Sequence, residues 1–138
     1  MLVAVFDTNV LVSALYNPEG VPGRLVAEWG GGAFELVVSE QLLAELERVL
    51  QSLRYTGDKE SAATLTRMLR VAARLVEDPA EVQRVVGDPA DDYLVALARA
   101  AEAHVIVTGD RHLLELIDLR PQPVTPRQFA VLLERHGF

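Results

Sequence analysis

The sequence predicts an α/β fold, a three-layer α/β/α sandwich around a mostly parallel central sheet. Three observations carry this expectation. Short apolar runs rich in β-branched residues recur along the chain, apolar at consecutive positions rather than alternating, as in strands buried on both faces. Segments with helical period lie between them. Alternation of this kind builds parallel sheets, because parallel neighbours need a crossover that a helix supplies.

The first run is Leu2-Val-Ala-Val-Phe6, and it ends on Asp7-Thr8-Asn9, an acid followed by turn-forming residues. Gly30-Gly31-Gly32 is a loop that ends one helix before the next strand, and nothing in it resembles a phosphate-cradling motif followed by lysine. Phe34-Glu-Leu-Val-Val38 is the second apolar run. Ser39 is a suitable N-cap for a helix that stacks Leu42, Leu46, Val49 and Leu50 on one face. Ala62, Leu65, Leu69, Ala72 and Leu75 carry the same period for a second helix. A third follows Asp91, with Leu94, Leu97, Ala98 and Ala101 on its apolar side. His104-Val-Ile-Val-Thr108 is the next strand, and Pro123-Val124-Thr125 is a weaker one. Thr125-Pro126 opens a last helix, with proline in its first turn.

A chain of 138 residues, half of them apolar, can bury a substantial core without a staple, and residues 1–138 read as a single domain. No cysteine is present, which excludes disulfides, a thiol nucleophile and thiolate metal sites, and agrees with a reducing cytoplasm. Neither a signal peptide nor an apolar stretch of membrane-spanning length is evident, so the expectation is a soluble, cytoplasmic protein. Acidic residues outnumber basic ones 20 to 13, a formal charge of −7, which argues against a basic nucleic-acid-coating surface. A polyanionic substrate would have to be held locally, by a cation on clustered carboxylates or by arginine. All basic side chains but Lys59 are arginine, whose planar fork suits phosphate.

Asp7 leaves the first strand and Asp110 leaves the His104–Thr108 strand, so both belong on the rim formed by carboxyl ends of strands, where parallel sheets bind ligands. Asp88-Pro-Ala-Asp-Asp92 precedes the helix that feeds that strand, and Glu45 lies early in the helix after Ser39. Four carboxylates converging there would repel one another unless a cation offsets them. Oxygen ligands without cysteine or paired histidine suit a hard ion, Mg2+ or Mn2+, and such an ion activates water and neutralises a phosphodiester in transit. The ordinary alternative is that Asp7 or Asn9, Asp91 and Asp110 each cap a helix. Glu45 could equally pair with Arg48, and the helical wheel does not separate Glu45 from Glu47.

Asp7-Thr8-Asn9-Val10 after an apolar strand, Ser39 followed by Leu42, Leu43, Glu45 and Leu46, Asp88-Pro89-Ala90-Asp91-Asp92 leading into Leu94-Val95-Ala96-Leu97-Ala98, and Val107-Thr108-Gly109-Asp110-Arg111-His112-Leu113-Leu114 occur in this order. Together they resemble a PIN domain, in the variant found as VapC-like toxin components of toxin–antitoxin systems, from Met1 to about Thr125. The resemblance implies a Mg2+- or Mn2+-dependent endoribonuclease with Asp7, Glu45, Asp92 and Asp110 as its catalytic and metal-binding quartet. It selects Glu45 over Glu47, and Asp92 over Asp91 and Asp88. Asn9 and Thr108 match polar positions that support the site by hydrogen-bonding carboxylates. It further implies an RNA substrate, an antitoxin protein as partner, and a homodimer.

Other features have plainer readings. Arg67, Arg70 and Arg74 share a helical face, for which a solvated stripe is the ordinary role and RNA contact the alternative. Arg111 adjoins Asp110; His104 and His136 read as surface residues, and His112 is near the site without a required role. Trp29 and Phe34 read as core or interface aromatics. Asp88 reads as the Asp-Pro turn. A haloacid-dehalogenase-type phosphatase would need an aspartate where Asn9 stands, and a response-regulator receiver would need a lysine after a late strand, whereas Lys59 comes earlier. A free-standing RNA-processing nuclease and a non-catalytic RNA- or protein-binding module are the remaining alternatives.

Overall fold

The computed structural model describes residues 1–136. Five strands, β1 (Val3–Phe6), β2 (Glu35–Val38), β3 (Arg74–Leu75), β4 (Val105–Val107) and β5 (Gln122–Val124), form one sheet in the order β3-β2-β1-β4-β5, with every neighbouring pair parallel. Seven helices among the described residues connect and flank them: α1 (Thr8–Tyr16), α2 (Val21–Gly30), α3 (Glu40–Gln51), α4 (Lys59–Ala72), α5 (Pro89–Ala100), α6 (Arg111–Leu114) and α7 (Pro126–Arg135). The expected helix-flanked parallel sheet is therefore present. The central strands are buried on both faces, as their unbroken apolar runs require: Ala4, Val5, Val37, Ile106 and Val107 expose no surface.

Connections that step from β1 through β2 to β3 run one way across the sheet, and those that lead to β4 and β5 run the other way. Right-handed crossovers put helices of the two sets on opposite faces. The two directions part between β1 and β4, which makes their carboxyl ends the topological switch point where such sheets open a crevice. On the α2 side, Phe6, Phe34 and Phe129 form an aromatic cluster, with Phe34 and Phe129 edge to face at 4.9 Å. On the other side α5 packs directly on β1 and β4, with Leu97 and Ala98 fully buried.

One element differs from its sequence expectation. The helical period through Leu75 ends at Ala72; Ala73 is extended, and Arg74–Leu75 pair with Val37 and Val38 as edge strand β3. Leu75 is exposed, so the period it continued was coincidental. The arginine stripe is also divided. Arg70 bridges from α4 to Glu40 (3.2 Å) and Glu47 (2.5 Å) of α3, and Arg74 stands 3.8 Å from Glu35. These two serve intramolecular pairing rather than a free cationic face. Trp29 and Phe34 are core residues. No helix among the described residues is long and apolar enough to cross a membrane.

Because α5 rests on the sheet through Leu97, truncating that side chain tests how firmly the helix is seated. Leu97→Ala is expected to lower unfolding free energy by about 2–5 kcal/mol, the cost of a buried cavity at a site that cannot collapse, measured by urea denaturation.

Candidate functional site

The switch point places Asp7 at the end of β1 and Thr108 just after β4. Thr108 is fully buried, and its hydroxyl does two things: it donates to Asp7 Oδ2 (2.9 Å) and accepts from the Asp110 N–H (3.0 Å). One side chain thus fixes two acids from different strands. Asp7 Oδ1 caps α1 by accepting from the Asn9 N–H (3.1 Å), and Asp110 Oδ1 caps α6 by accepting from the His112 N–H (2.9 Å). The capping role and the rim position coexist. Asn9 supports Asp7 through its backbone amide; its side chain is exposed.

Helix α5 brings in the next acid. Asp88 is its N-cap, accepting from the N–H groups of Ala90 (2.9 Å) and Asp91 (3.2 Å), as the Asp-Pro turn predicts. Asp91, 7% exposed, lines the cleft and lies close to the Asp110 carboxyl. Burial pushes the Asp91 carboxyl up to about 7, and the Asp110 hydrogen bond and repulsion from Asp110, Asp88 and Asp7 push the same way. Asp110 moves in the opposite direction, held below its usual range by the hydrogen bond from Asp91 and by the backbone N–H groups of His112 and Leu113. Burial and crowding thus make the Asp91–Asp110 pair hold a proton more tightly than an ordinary carboxyl does.

Asp92 does not join them. Its Oδ1 accepts from three consecutive backbone amides, Val85 (3.0 Å), Val86 (2.7 Å) and Gly87 (3.3 Å), and these hold its pKa below the usual carboxylate range. Gly87, at φ +97°, turns the chain so that the three N–H groups point inward. The sequence expectation named Asp92 from this helix for the catalytic and metal-binding quartet; the structure puts Asp91 in the lining of the cleft and Asp92 on the opposite flank. The physical reason is helical geometry, since adjacent residues point about 100° apart. Asp91 shares its stripe with Leu94 and Ala98, whereas Asp92 shares one with Val95, Ala96 and Arg99 on the opposite flank. The apolar stripe through Leu94 and Ala98 is the sequence signal that could have drawn attention to Asp91.

The cleft, about 470 Å3, runs between the start of α5 and α3. Helix α3 contributes Gln41, Leu42, Glu45 and Arg48 to its wall. Glu45 faces the cleft and Glu47 turns away to Arg70. Glu45 is held below its usual range chiefly by a forked pair of hydrogen bonds from Arg48, Nε to Oε2 (3.1 Å) and Nη2 to Oε1 (2.7 Å). At the base, Tyr93 ties three elements together. Its hydroxyl lies 2.5 Å from Ser39 Oγ at the head of α3 and donates to Asp78, which follows β3 and also accepts from the Gln41 N–H (3.3 Å). Burial, then the bond to Asp78, pushes the Tyr93 phenol up to about 12. Sequence patterning offered no sign of this long-range network. His112 and Arg111 are exposed and do not line the cleft; His104 accepts from the Val3 N–H through Nδ1 (2.9 Å).

For a metal ion, the donor chemistry fits. The acids are oxygen donors, Asp91 and Asp110 touch, and Asp7 and Asp88 are close enough to act on Asp91 electrostatically. Among the described residues no three acidic or imidazole side chains are gathered tightly enough to grip one ion in this arrangement.

The same architecture occurs in solved structures. A chain of VapBC2 from Rickettsia felis, bound to a DNA fragment from their promoter, aligns over 90% of this chain and 98% of its own, with TM-score 0.60 and 16% identity. A chain of VapBC-1 from nontypeable Haemophilus influenzae aligns over 91% and 99%, again with TM-score 0.60 and 16% identity. PAE2754 from Pyrobaculum aerophilum aligns over 97% and 90%, with TM-score 0.61 and 21% identity. Among curated proteins, the uncharacterized protein MJ1680 of Methanocaldococcus jannaschii is 28% identical over 117 residues, 83% of this chain and 74% of its own.

Two stability measurements separate the α5 acids. Because the folded Asp91 carboxyl has a raised pKa, its ionisation opposes folding: the stability present near pH 4 declines as pH rises toward about 7. Without added metal, Asp91→Asn is expected to be more stable than the parent protein at pH 8 and equal to it at pH 4, measured by urea denaturation. Asp92 has the opposite sign. Its lowered pKa adds stability above about pH 4 that is lost as pH falls below, so Asp92→Ala is expected to lower the urea midpoint at pH 7 and to show less loss on acidification.

A PIN-domain family model matches residues 3–112, spanning β1 and the acids Asp7, Glu45, Asp91 and Asp110 together with the loops that hold them, and the chain belongs to the PIN domain family.

Proposed function

We propose that this protein is a divalent-metal-dependent endoribonuclease, the toxin of a toxin–antitoxin pair. PIN domains are nucleases, so phosphodiester hydrolysis is the reaction class that family membership supports. The observation that carries the metal-dependent reading is the crowding of Asp91 by Asp110, Asp7 and Asp88 at the carboxyl ends of β1 and β4. Asp7, Asp91 and Asp110 would hold Mg2+ or Mn2+, with Glu45 on the facing wall. When bound, the ion supplies polarisation of the phosphodiester and activation of a water.

The chain's own residues set the conditions for that step. Thr108 holds Asp7 and Asp110 in fixed directions, which matters because carboxylates that must reorient weaken a metal site. Asp88 and the α5 N-terminus carry Asp91 into place. Tyr93 keeps the α3 wall at a set distance from α5 through Ser39. RNA is the substrate class proposed from the resemblance of the acidic motifs to VapC-like PIN domains, and an antitoxin protein is the partner proposed from the likeness to VapBC chains.

Cleavage of a panel of defined RNAs in Mn2+ tests the reading. Asp7→Asn and Asp91→Asn are expected to lose about a hundredfold or more of the rate, while Asp92→Asn retains activity within a few-fold below its unfolding temperature. An inactive Asp92→Asn beside an active Asp91→Asn would reverse the assignment of the α5 acid. Parent protein that cleaves no RNA with either ion would remove the ribonuclease reading itself.

A further inference from the structure

On the nuclease reading above, the cleft must hold a polyanion in a protein of formal charge −7, and the acids that would carry the reaction repel it. Among the described residues, Arg48 is the single basic side chain lining that cleft. Its guanidinium is planar, with one forked edge at Nε/Nη2 and a second at Nη1/Nη2. Glu45 takes the first edge, through Nε at 3.1 Å and Nη2 at 2.7 Å. No protein acceptor among the described residues meets Nη1. The side chain is 69% exposed, so the second edge is open to the cleft mouth.

We infer that Arg48 is a substrate-binding residue: Glu45 orients its guanidinium so that the free edge takes the phosphate oxygens of an RNA nucleotide flanking the one that is cut. Three properties of the arrangement support this. Helical spacing puts Gln41, Glu45 and Arg48 on one side of α3, the side that faces Asp91 across the cleft. An exposed pair within one helix contributes little to folding, so stability alone gives Arg48 little reason to stand here. The other arginine that joins α3, Arg70, is doubly engaged by Glu40 and Glu47 and has its fork spent between helices. Arg48 differs in having Nη1 left over, on a side chain that lines the cleft where negative charge has to be received.

This gives Glu45 a second task. It spares the guanidinium the many rotamers of a free arginine, so less order has to be imposed when phosphate arrives. A lysine at the same position would keep the charge and lose the two-edged geometry.

The test is steady-state cleavage, in Mn2+, of whichever panel RNA the parent protein cuts best, with Arg48→Ala, Arg48→Lys and Arg67→Ala. Arg67 is an exposed α4 arginine outside the cleft and controls for loss of one positive charge. Arg48→Ala is expected to raise KM about tenfold, as loss of a charge-assisted contact does, with kcat nearly unchanged and Tm unaffected. The slope of log KM against log salt is expected to shrink by about 0.7, one single-strand phosphate contact. Arg48→Lys should fall between, and Arg67→Ala should match the parent protein. Unchanged KM and salt slope in Arg48→Ala, with the parent protein active, would overturn this inference and leave the nuclease reading standing. Equal effects of Arg48→Ala and Arg67→Ala would overturn it as well, by reducing it to net charge; a Lys variant equal to the parent would overturn the forked geometry. A parent protein inactive on every RNA removes both readings together.

Discussion

The contact between the Asp91 and Asp110 carboxyl groups is the constraint around which this molecule is organised. Two acids side by side, with Asp7 and Asp88 near, form an arrangement that water would pull apart. It persists because each acid is tied down by bonds that do not depend on the others. Asp110 and Asp7 cap helices and share the buried Thr108 hydroxyl, and Asp91 sits in the first turn of a helix whose far side is sunk into the sheet. The crowding raises the proton affinity of Asp91, and a proton taken up there lessens the repulsion. Local strain of this kind is sustained by the rigid core beneath it rather than by the site itself.

Helix α5 shows how neighbouring residues with the same side chain can do opposite work. Asp91 and Asp92 are both almost fully buried, and both are aspartates in the first turn, where the helix dipole favours them. One meets carboxyls and has its charge opposed; the other meets three amide N–H groups and has its charge welcomed. The segment that Asp92 gathers, through Gly87, leads directly to Asp88 and the start of the helix. Asp92 therefore holds the approach that presents Asp91, and its influence on the cleft passes through the backbone. Charge alone would not distinguish these two acids; their hydrogen-bond partners do.

The sequence carried most of the sheet because the strands that matter are buried on both sides, and burial leaves an unbroken apolar signature at β1, β2 and β4. It did not carry β3, whose two exposed residues have no face to pattern and whose existence depends on pairing with Val37 and Val38. Asp7, Asp110 and Thr108 were legible at the rim from their position after strands. Asp91 was legible too, since its spacing from Leu94 and Ala98 puts it on the inward stripe, yet offset from the neighbouring motif pointed to Asp92. Motif offset counts residues, and in a helix one residue of offset rotates the side chain through about 100°. The Ser39–Tyr93–Asp78 junction was not readable at all, because it joins three segments through polar groups with no periodic trace.

The same geometry explains why α3 can serve two neighbours with one kind of chemistry. Its acids alternate in duty by helical position: Glu40 and Glu47 grip Arg70 and fasten α4, and Glu45 grips Arg48 and faces the cleft. On the α4 side the ion pairs join two helices, so both Nη groups of the arginine are engaged and the contact is structural. On the cleft side the pair closes within one helix and faces open space, so nothing on the far side competes for the remaining edge. An ion pair in an acidic protein thus has different meaning according to what stands opposite it. Where another helix stands there it is a fastening; where a cleft stands there it is a positive charge kept in reserve beside acids that could not otherwise receive an anion.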